Sequence, residues 1–336
     1  MGGGPGLMLA RVAQTLYWTA RDLERAAAIA RALEISHAAS LEGAFQNGAG
    51  QTHIWEPVVR IAGDPTSFLT GHRRADERSV SWYLTLSEAN PDSVVACLRR
   101  ARERIRSTRS RLPTEMFEVI SSGEITSRAW TAQRLAREGL FAFCHQVHGH
   151  VAAVDGIVDR TVRRDEYWQF LRLGRHLERA VQIARLLTVH NGLIAVGDER
   201  AQGIGDWRTL LKLASSYEAY LRVALPGRDG PTPMAFLLLD RQLPSSVAFC
   251  LDEIAAGIDE LRSLNVPATA ATPKAAVSAA LRAAATAAQT QSVEYGLGRL
   301  QTRLTDIHEA VASIFLPDEE FAGGAVHAQA VRQAQN

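Results

Sequence analysis

Two stretches of the sequence decide the fold, because they are nearly the same helix written twice. Residues 21–33 read Arg21-Asp-Leu-Glu-Arg-Ala-Ala-Ala-Ile-Ala-Arg-Ala-Leu33, and residues 175–187 read Arg175-His-Leu-Glu-Arg-Ala-Val-Gln-Ile-Ala-Arg-Leu-Leu187. Nine of the thirteen positions are identical at an offset of 154 residues. Apolar residues recur every three or four positions in both stretches, which predicts two amphipathic α-helices.

Further matches surround these stretches at almost the same offset. The matching blocks are Tyr83-Leu-Thr-Leu with Phe236-Leu-Leu-Leu, Pro91-Asp-Ser-Val-Val-Ala-Cys-Leu98 with Pro244-Ser-Ser-Val-Ala-Phe-Cys-Leu251, and Trp55 with Trp207. Blocks in one order at one offset predict an internal duplication. Two half-length units that each leave an apolar face uncovered should pack on one another about a pseudo-twofold axis.

The rest of the chain favours helices throughout. Strand signals are nearly absent, and strong helix formers dominate. Helical periodicity covers Leu9–His37, Ser93–Leu112, Ser127–Val162, Glu166–His190, Trp207–Leu225, Ser245–Leu264 and Ala275–Phe315. We therefore predict an all-α protein, a multi-helix bundle built from two tandem pseudo-twofold-related helical repeats. Its predicted parts are a flexible lead (1–7), a first repeat (8–163), a second repeat (164–316) and a disordered tail (317–336).

Composition excludes several classes of protein. The net charge of +1 gives no overall field toward nucleic acid or anionic membrane. Three cysteines without CxxC spacing argue against a disulfide scaffold or a zinc site. No apolar run reaches membrane-spanning length and no signal peptide is recognisable, so we expect a cytoplasmic location. The cysteines at matching positions, Cys97 and Cys250, and the six tryptophans are expected to fill the core.

The repeated helix carries the main candidate site. Glu24 and Arg31 lie two turns apart at the edge of its apolar stripe, and two further arginines lie further round. The candidate residues in the two copies are Arg21, Glu24, Arg25 and Arg31, and Arg175, Glu178, Arg179 and Arg185. One interpretation is a partly buried Arg–Glu network that is reciprocal between the copies. The other is an anion pocket in which arginines bind a carboxylate or phosphate.

Histidines provide a weaker candidate for a metal site. His145 and His148 share one helix face, whereas His150 points elsewhere, and Asp155 and Asp159 follow on the same helix. No adjacent carboxylate completes a ligand set, so we expect ordinary packing histidines and no metal or other cofactor.

A strongly basic helix is predicted over Arg99–Arg111, where seven of thirteen residues are arginine. It could contact a phosphate backbone, although it lacks aromatic residues. The matching stretch of the second half, Asp252–Glu260, is acidic. The two charged helices could therefore face one another, lie in solvent, or meet different partners.

The sequence resembles the alpha-E family, bacterial helical proteins named for their Glu-Arg motif. The resemblance covers residues 8–316. It begins with Met8-Leu-Ala-Arg-Val-Ala-Gln-Thr-Leu-Tyr-Trp-Thr-Ala-Arg-Asp-Leu-Glu-Arg-Ala26 and continues in residues 101–106, 164–180 and 236–240. The chain departs from the family pattern at Thr19-Ala20, where a glycine commonly precedes the first arginine, whereas the second copy keeps Gly174.

The resemblance implies an all-helical fold and a role beside other proteins. Genes of this family typically adjoin an ATP-grasp ligase-like protein and a transglutaminase-like protein. We therefore expect a non-catalytic accessory partner of an ATP-grasp-type ligase in a pathway that forms or modifies peptide or amide bonds. The alternatives are an enzyme or small-molecule-binding subunit that uses the Glu-Arg motifs, and nucleic-acid binding through Arg99–Arg111. No nucleotide-binding or hydrolase motif occurs in a meaningful context.

Overall fold

A computed structural model describes residues 5–47, 52–195, 205–224, 230–263, 272–290 and 292–315. These residues form fifteen α-helices and a single-turn 3-10 helix (Arg109–Arg111), with no strand among them. The helices are α1 Pro5–Asn47, α2 Thr52–Ala62, α3 Pro65–Gly71, α4 Glu77–Thr85, α5 Val94–Arg106, α6 Thr114–Arg128, α7 Ala132–Glu138, α8 Leu140–Thr161, α9 Glu166–Ala195, α10 Trp207–Leu213, α11 Tyr217–Val223, α12 Pro233–Leu239, α13 Val247–Ser263, α14 Thr272–Gln289 and α15 Val293–Phe315. The predicted all-α class is confirmed.

Helix α1 is the longest helix of the bundle and contacts several of the others. It has no proline or glycine between Leu7 and Gly43 and remains helical over 43 residues, a length of about 65 Å. It packs against α9, α5 and α8, and α9 packs in turn against α13 and α15. The predicted apolar stripe lies in the core, where its members are at most 6% exposed apart from the half-buried Ala27: Leu16, Ala20, Leu23, Ala26, Ala30 and Leu33.

Four predicted helical segments are not continuous helices, because local backbone signals interrupt them. In the segment Ser93–Leu112, α5 ends at Arg106 and a 3-10 turn (Arg109–Arg111) follows, so the predicted basic helix over Arg99–Arg111 is wrong beyond Arg106. The segment Ser127–Val162 breaks between α6 and α8, where Gly139 adopts a positive φ of 88°. The segment Trp207–Leu225 divides into α10 and α11 at Ser215, whose φ is 53°. The segment Ala275–Phe315 divides into α14 and α15 near Thr290.

Five helices had not been predicted. Helices α2, α3, α4 and α12 have at most eleven residues, too few for periodicity to stand out. Side-chain caps fix two of them: Asp64 accepts hydrogen bonds from the first turn of α3, and Asp76 forms a capping box with Ser79 at α4. Helix α6 is rich in β-branched residues and serine, which weakens its helical signal.

The predicted domain limits meet the structure in three places. Helix α1 begins at Pro5, inside the predicted lead, while residues 1–4 lie outside the described residues. The limit between the two predicted repeats, after residue 163, falls in the turn between α8 and α9. The predicted tail also lies outside the described residues.

The tryptophans divide between core and surface. Trp18, Trp55 and Trp130 are buried as predicted. The prediction is wrong for Trp82 and Trp207, which are 39% and 37% exposed. Trp168 is half-buried, and the guanidinium groups of two arginines, Arg164 and Arg172, lie over its ring. All three cysteines are buried and unpaired. Within the described ranges, no helix is long and apolar enough to cross a membrane.

The two repeated helices, α1 and α9, cross in unusually close contact. A Cβ atom added at Gly174 of α9 would lie 2.2 Å from the backbone oxygen of Tyr17 on α1. Such a distance is impossible without moving one helix backbone, since no flexible side-chain end can yield there. Gly174 therefore sets how closely the two helices approach.

We predict that Gly174→Ala lowers the free energy of unfolding by about 3 kcal/mol or more, because it overpacks a backbone–backbone contact. Gly192→Ala on the same helix is the matched control, since nothing lies within 4 Å of its added Cβ. This control should be neutral or stabilise by up to about 1 kcal/mol. Denaturant unfolding of both variants measures the difference. Equal stability of the two variants would show that the helices do not cross at Gly174.

A cleft beside the Glu-Arg motif as candidate functional site

Glu178 of α9 lies at the centre of a buried charge network. Its side chain is 0% exposed. On α1, Arg21 Nε donates to Glu178 Oε2 at 2.8 Å. Arg25 donates through Nε to Oε1 at 2.7 Å and through Nη2 to Oε2 at 3.0 Å. Gln182 Nε2, one turn further along α9, adds a fourth hydrogen bond to Oε1 at 2.9 Å. The carboxylate is therefore fully hydrogen-bonded without water.

The surroundings of this network hold it in the charged state. Burial by itself raises the pKa of Glu178, but Arg25 and Arg21 more than offset this effect, so its pKa lies well below the usual range. Arg25 Nη1 also donates to Asp92 Oδ1 at 2.9 Å, which connects α1 to the start of α5. Arg185 lies close enough to feel the charges of Glu178 and Arg25, and burial lowers its pKa.

The other copy of the motif makes the matching contact with different surroundings. Arg179 of α9 donates through Nε to Glu24 Oε1 at 2.7 Å and through Nη2 to Glu24 Oε2 at 2.9 Å. The two side chains are 24% and 14% exposed, so this pair reaches the surface. Arg175 binds Oδ1 of Asp155 on α8. Burial raises the pKa of Asp155, Arg175 opposes this effect, and the charge of Glu24 adds to it.

Two differences at matching sequence positions explain why one network is closed and the other open. Gln182, which completes the shell of Glu178, matches Ala28, which leaves space beside Glu24. Asp92, which binds Arg25, matches Ser245 in the second copy, 153 residues later. On that side, the hydrogen bond that Arg179 Nη1 donates within the described part of the chain goes to the backbone oxygen of Pro244, at 3.4 Å. The missing side chains leave a cavity.

The Glu24–Arg179 pair opens into a cleft of about 570 Å³. Its walls come from α1, α2, α8, α9, α10 and α11 and from the segment before α13. Small and aliphatic side chains make most of the lining: Ala27, Ala28, Ala32, Ile61, Val151, Ala152, Ile183, Leu186, Leu213 and Leu243. A mostly apolar cleft with a few convergent polar groups is the usual form of a small-molecule site.

Arg31 stands at another point of this cleft. Its Nη1 donates to Glu34 Oε2 at 3.3 Å, and it makes no other hydrogen bond to the residues that the structure describes. His148 Nε2 lies 3.3 Å from the same Glu34 oxygen without hydrogen-bond geometry. Burial, together with the charge of Arg31, lowers the pKa of His148 to about 4, so His148 is neutral at pH 7. Most donors of the Arg31 guanidinium therefore remain available.

The eight candidate residues thus take several positions. Arg21, Arg25 and Glu178 form the buried network, Arg185 lies close enough to feel its charges, and Glu24 and Arg179 face the cleft. Arg175 binds Asp155, and Arg31 binds Glu34. The glutamate of each copy of the motif therefore binds an arginine of the other copy. Whether the motif also binds an anion stays a prediction.

The histidine cluster is dispersed. His145 is exposed and stacks on Phe141, His148 faces Glu34, and His150 contacts the hydroxyl of Thr126. The nearby carboxylates are also engaged, since Asp155 binds Arg175 and Asp159 binds Arg164. No group of three or more metal-ligating side chains that could hold a metal ion occurs within the described ranges.

The charged helices α5 and α13 bind other residues rather than each other. Arg100 and Arg104 converge on buried Asp22 of α1, and Arg102 binds Glu124 of α6. On the acidic side, the ion pairs are Arg241 with Asp252, Arg172 with Glu253 and Lys274 with Asp259. Of the alternatives considered, the one in which the two stretches face each other has no support, because no ion pair among the described residues joins them.

We predict that Glu178→Gln lowers the free energy of unfolding by about 3–5 kcal/mol, because it removes the counter-charge of buried Arg21 and leaves buried Arg25 with Asp92 as its carboxylate partner. Glu24→Gln is the matched change in the exposed copy and should cost at most about 2 kcal/mol, since water can solvate Arg179. Denaturant unfolding at pH 7 measures both. Equal losses would mean that the two networks are equally buried.

The pH dependence checks the same prediction. A carboxyl whose pKa is depressed by folding stabilises the folded state above its unfolded pKa, and this contribution disappears as the pH falls through the folded value. The stability difference between the wild type and Glu178→Gln should therefore stay constant above about pH 5 and narrow below about pH 4.5.

The chain matches a known protein family over most of its length. The profile of the Alpha-E family, described as a predicted alpha-helical domain with a conserved ER motif, matches residues 8–316. No curated protein and no solved structure matches the chain. The matched region contains both repeated helices and every residue of the cleft. The chain therefore belongs to the Alpha-E family.

Proposed function

We propose that the cleft binds a small molecule through an anionic group, a carboxylate or a phosphate, that Arg31 contacts. The observation that carries this proposal is the guanidinium of Arg31, which borders an apolar cavity and makes a single hydrogen bond of 3.3 Å to the described part of the chain. Arginine has five N–H donors in a planar fork that matches carboxylate and phosphate. A ligand oxygen could therefore accept hydrogen bonds that the protein leaves unused.

We infer binding rather than catalysis. Two serines line the cleft, but Ser245 bonds to the hydroxyl of Ser216, and no basic side chain among the described residues forms a hydrogen bond with the hydroxyl of Ser215. A hydroxyl without an adjacent base is a weak nucleophile. The buried thiol of Cys144 has a raised pKa, chiefly because of burial, and is not a reactive nucleophile either.

We predict that hexanoate binds at least about tenfold more tightly than the neutral hexanamide, because a charge-assisted hydrogen bond contributes about 1.5–3 kcal/mol. Arg31→Gln should remove this preference. Arg60→Gln, which breaks an exposed pair outside the cleft, is the matched control. NMR titration measures the affinities, and hexyl phosphate in the same series distinguishes phosphate from carboxylate.

A second variant tests the cavity itself. Ala28→Gln introduces the side chain that fills the matching place beside Glu178 and should abolish binding of hexanoate without removing any charge. Hexanoate binding that persists in Ala28→Gln, or that shows no preference over hexanamide in the wild type, would contradict the proposal.

We also propose the accessory role that the family resemblance implies, as a partner of an ATP-grasp-type ligase in a peptide- or amide-bond pathway. An exposed apolar patch supports a protein partner. The Trp207 ring lies 6.4 Å from the Tyr217 ring, and Leu221, one turn after Tyr217, is 46% exposed. Helices α10 and α11 present this patch outward and the cleft lining inward. Exposed apolar patches commonly mark interaction sites.

We predict co-purification with an ATP-grasp-type protein from the same genome, and loss of that association in Trp207→Ala/Leu221→Ser. Tyr295→Ala is the control, since Tyr295 is an exposed aromatic residue on α15, at 63%. Pull-down followed by size-exclusion chromatography measures the complex. An association that survives the double variant would place the interface elsewhere, and the absence of any complex would count against the role.

Two further proposals concern the whole chain. We propose that its halves are a tandem duplication, supported by the matching pairs Glu178–Arg25 and Glu24–Arg179 across α1 and α9. We propose a cytoplasmic location, supported by three buried, unpaired cysteines. Nucleic-acid binding has less support, because Arg100, Arg102 and Arg104 bind carboxylates of the chain itself.

A further inference from the structure

Two helices place polar residues at the same spacing along the cleft. Helix α1 carries Glu24 and Arg31, and helix α8 carries His148 and Asp155, each pair separated by seven residues. His148 lies beside Glu34 of α1, while the charge of Glu24 influences Asp155, so the two helices run antiparallel. The cleft therefore has a cationic pole at Arg31 and an anionic pole at Asp155. Seven helical residues separate the poles by about 10 Å.

Each pole retains unused hydrogen-bonding capacity. At the cationic pole, the neutral imidazole of His148 adds no charge, and Arg31 has donors to spare. At the anionic pole, Arg179 occupies both oxygens of Glu24. Arg175 occupies Oδ1 of Asp155, while Oδ2 accepts no hydrogen bond from the described residues. The Asp155 side chain is 36% exposed, so a ligand can reach it.

The surface between the poles is small and apolar. Ala27 and Ala28 of α1 face the cleft on one side, and Val151 and Ala152 of α8 on the other. These side chains leave room for a narrow chain and offer no charged partner to its middle. The unused hydrogen-bonding capacity of the cleft is therefore concentrated at its two poles.

Resting on the proposed function, we propose that the ligand is a zwitterion whose ammonium and carboxylate are about 10 Å apart, the end-to-end span of an extended tripeptide. Its ammonium binds Asp155 Oδ2, and its carboxylate binds Arg31. A single amino acid is too short to reach both poles. A plain monoanion leaves Oδ2 of Asp155 without a donor from the ligand.

Alanine peptides test this proposal in the full-length protein. Trialanine should bind at least tenfold more tightly than N-acetyl-trialanine, which lacks the ammonium, and than trialanine amide, which lacks the carboxylate. Dialanine should bind more weakly than trialanine, because it spans only about 7 Å. Isothermal titration calorimetry or NMR titration at pH 7 measures the series.

Variants assign each end of the peptide. Asp155→Asn should remove the preference for trialanine over its N-acetyl form and keep the preference over its amide. Arg31→Gln should do the reverse. Asp159→Asn on the same helix is the matched control, since Asp159 is exposed and pairs with Arg164. Circular dichroism confirms that each variant is folded, and the blocked peptides test the wild type independently of any variant.

The outcomes separate this inference from the proposed function. Equal binding of trialanine and N-acetyl-trialanine would overturn the zwitterion and leave the anion site intact. Binding of hexanoate without binding of any peptide would likewise overturn the zwitterion and leave the anion site intact. Equal binding of trialanine and its amide would also overturn the zwitterion. The proposed function would be overturned with it when hexanoate in turn shows no preference over hexanamide.

Discussion

The bundle depends on one buried carboxylate. Glu178 has no access to water, and a buried charge without partners costs several kcal/mol, of order 3–5 in measured cases. Its hydrogen bonds come from Arg21 and Arg25 on α1 and from Gln182 on its own helix. Sliding α1 along α9 by one turn would separate these charges. The ion pair therefore fixes the register of the two longest helices that cross the core, and the Gly174–Tyr17 contact fixes their distance.

The same register positions the cleft. With Glu178 opposite Arg25, its counterpart in the other copy of the motif, Glu24, lies opposite Arg179, where the shell is incomplete. Ala28 stands where a glutamine would close the site. The two copies of the motif consequently differ in role. The copy around Glu178 is fully hydrogen-bonded and determines helix packing, whereas the copy around Glu24 borders a cavity. A buried ion pair adds little net stability over an apolar core, which accords with a role in specifying geometry.

The sequence predicts helices and their pairing better than it predicts the site. The 3.6-residue period and the repeated motif indicate the all-α class and the contact of α1 with α9, because both signals are local. The short helices α2–α4 depend on caps such as Asp64 and Asp76. Asp155 and Asp92 join the motif only through tertiary contacts between distant segments, so no spacing rule identifies them. The cleft exists because several side chains that line it are small. Small side chains are common in helical proteins, so their presence in the sequence does not indicate a cavity.

The contrast between Arg21 and Arg31 shows how burial decides what an arginine can do. The Arg21 guanidinium is held by Glu178 and lies over the Trp18 ring at 4.9 Å, so it is committed to the fold. Arg31, ten residues later on the same helix, forms one long hydrogen bond to the described residues and borders the cleft. Both belong to the repeated helix, and the sequence alone treats them alike. Because only an incompletely bonded guanidinium gains hydrogen bonds from a ligand, binding chemistry belongs to Arg31 and not to the buried members of the motif.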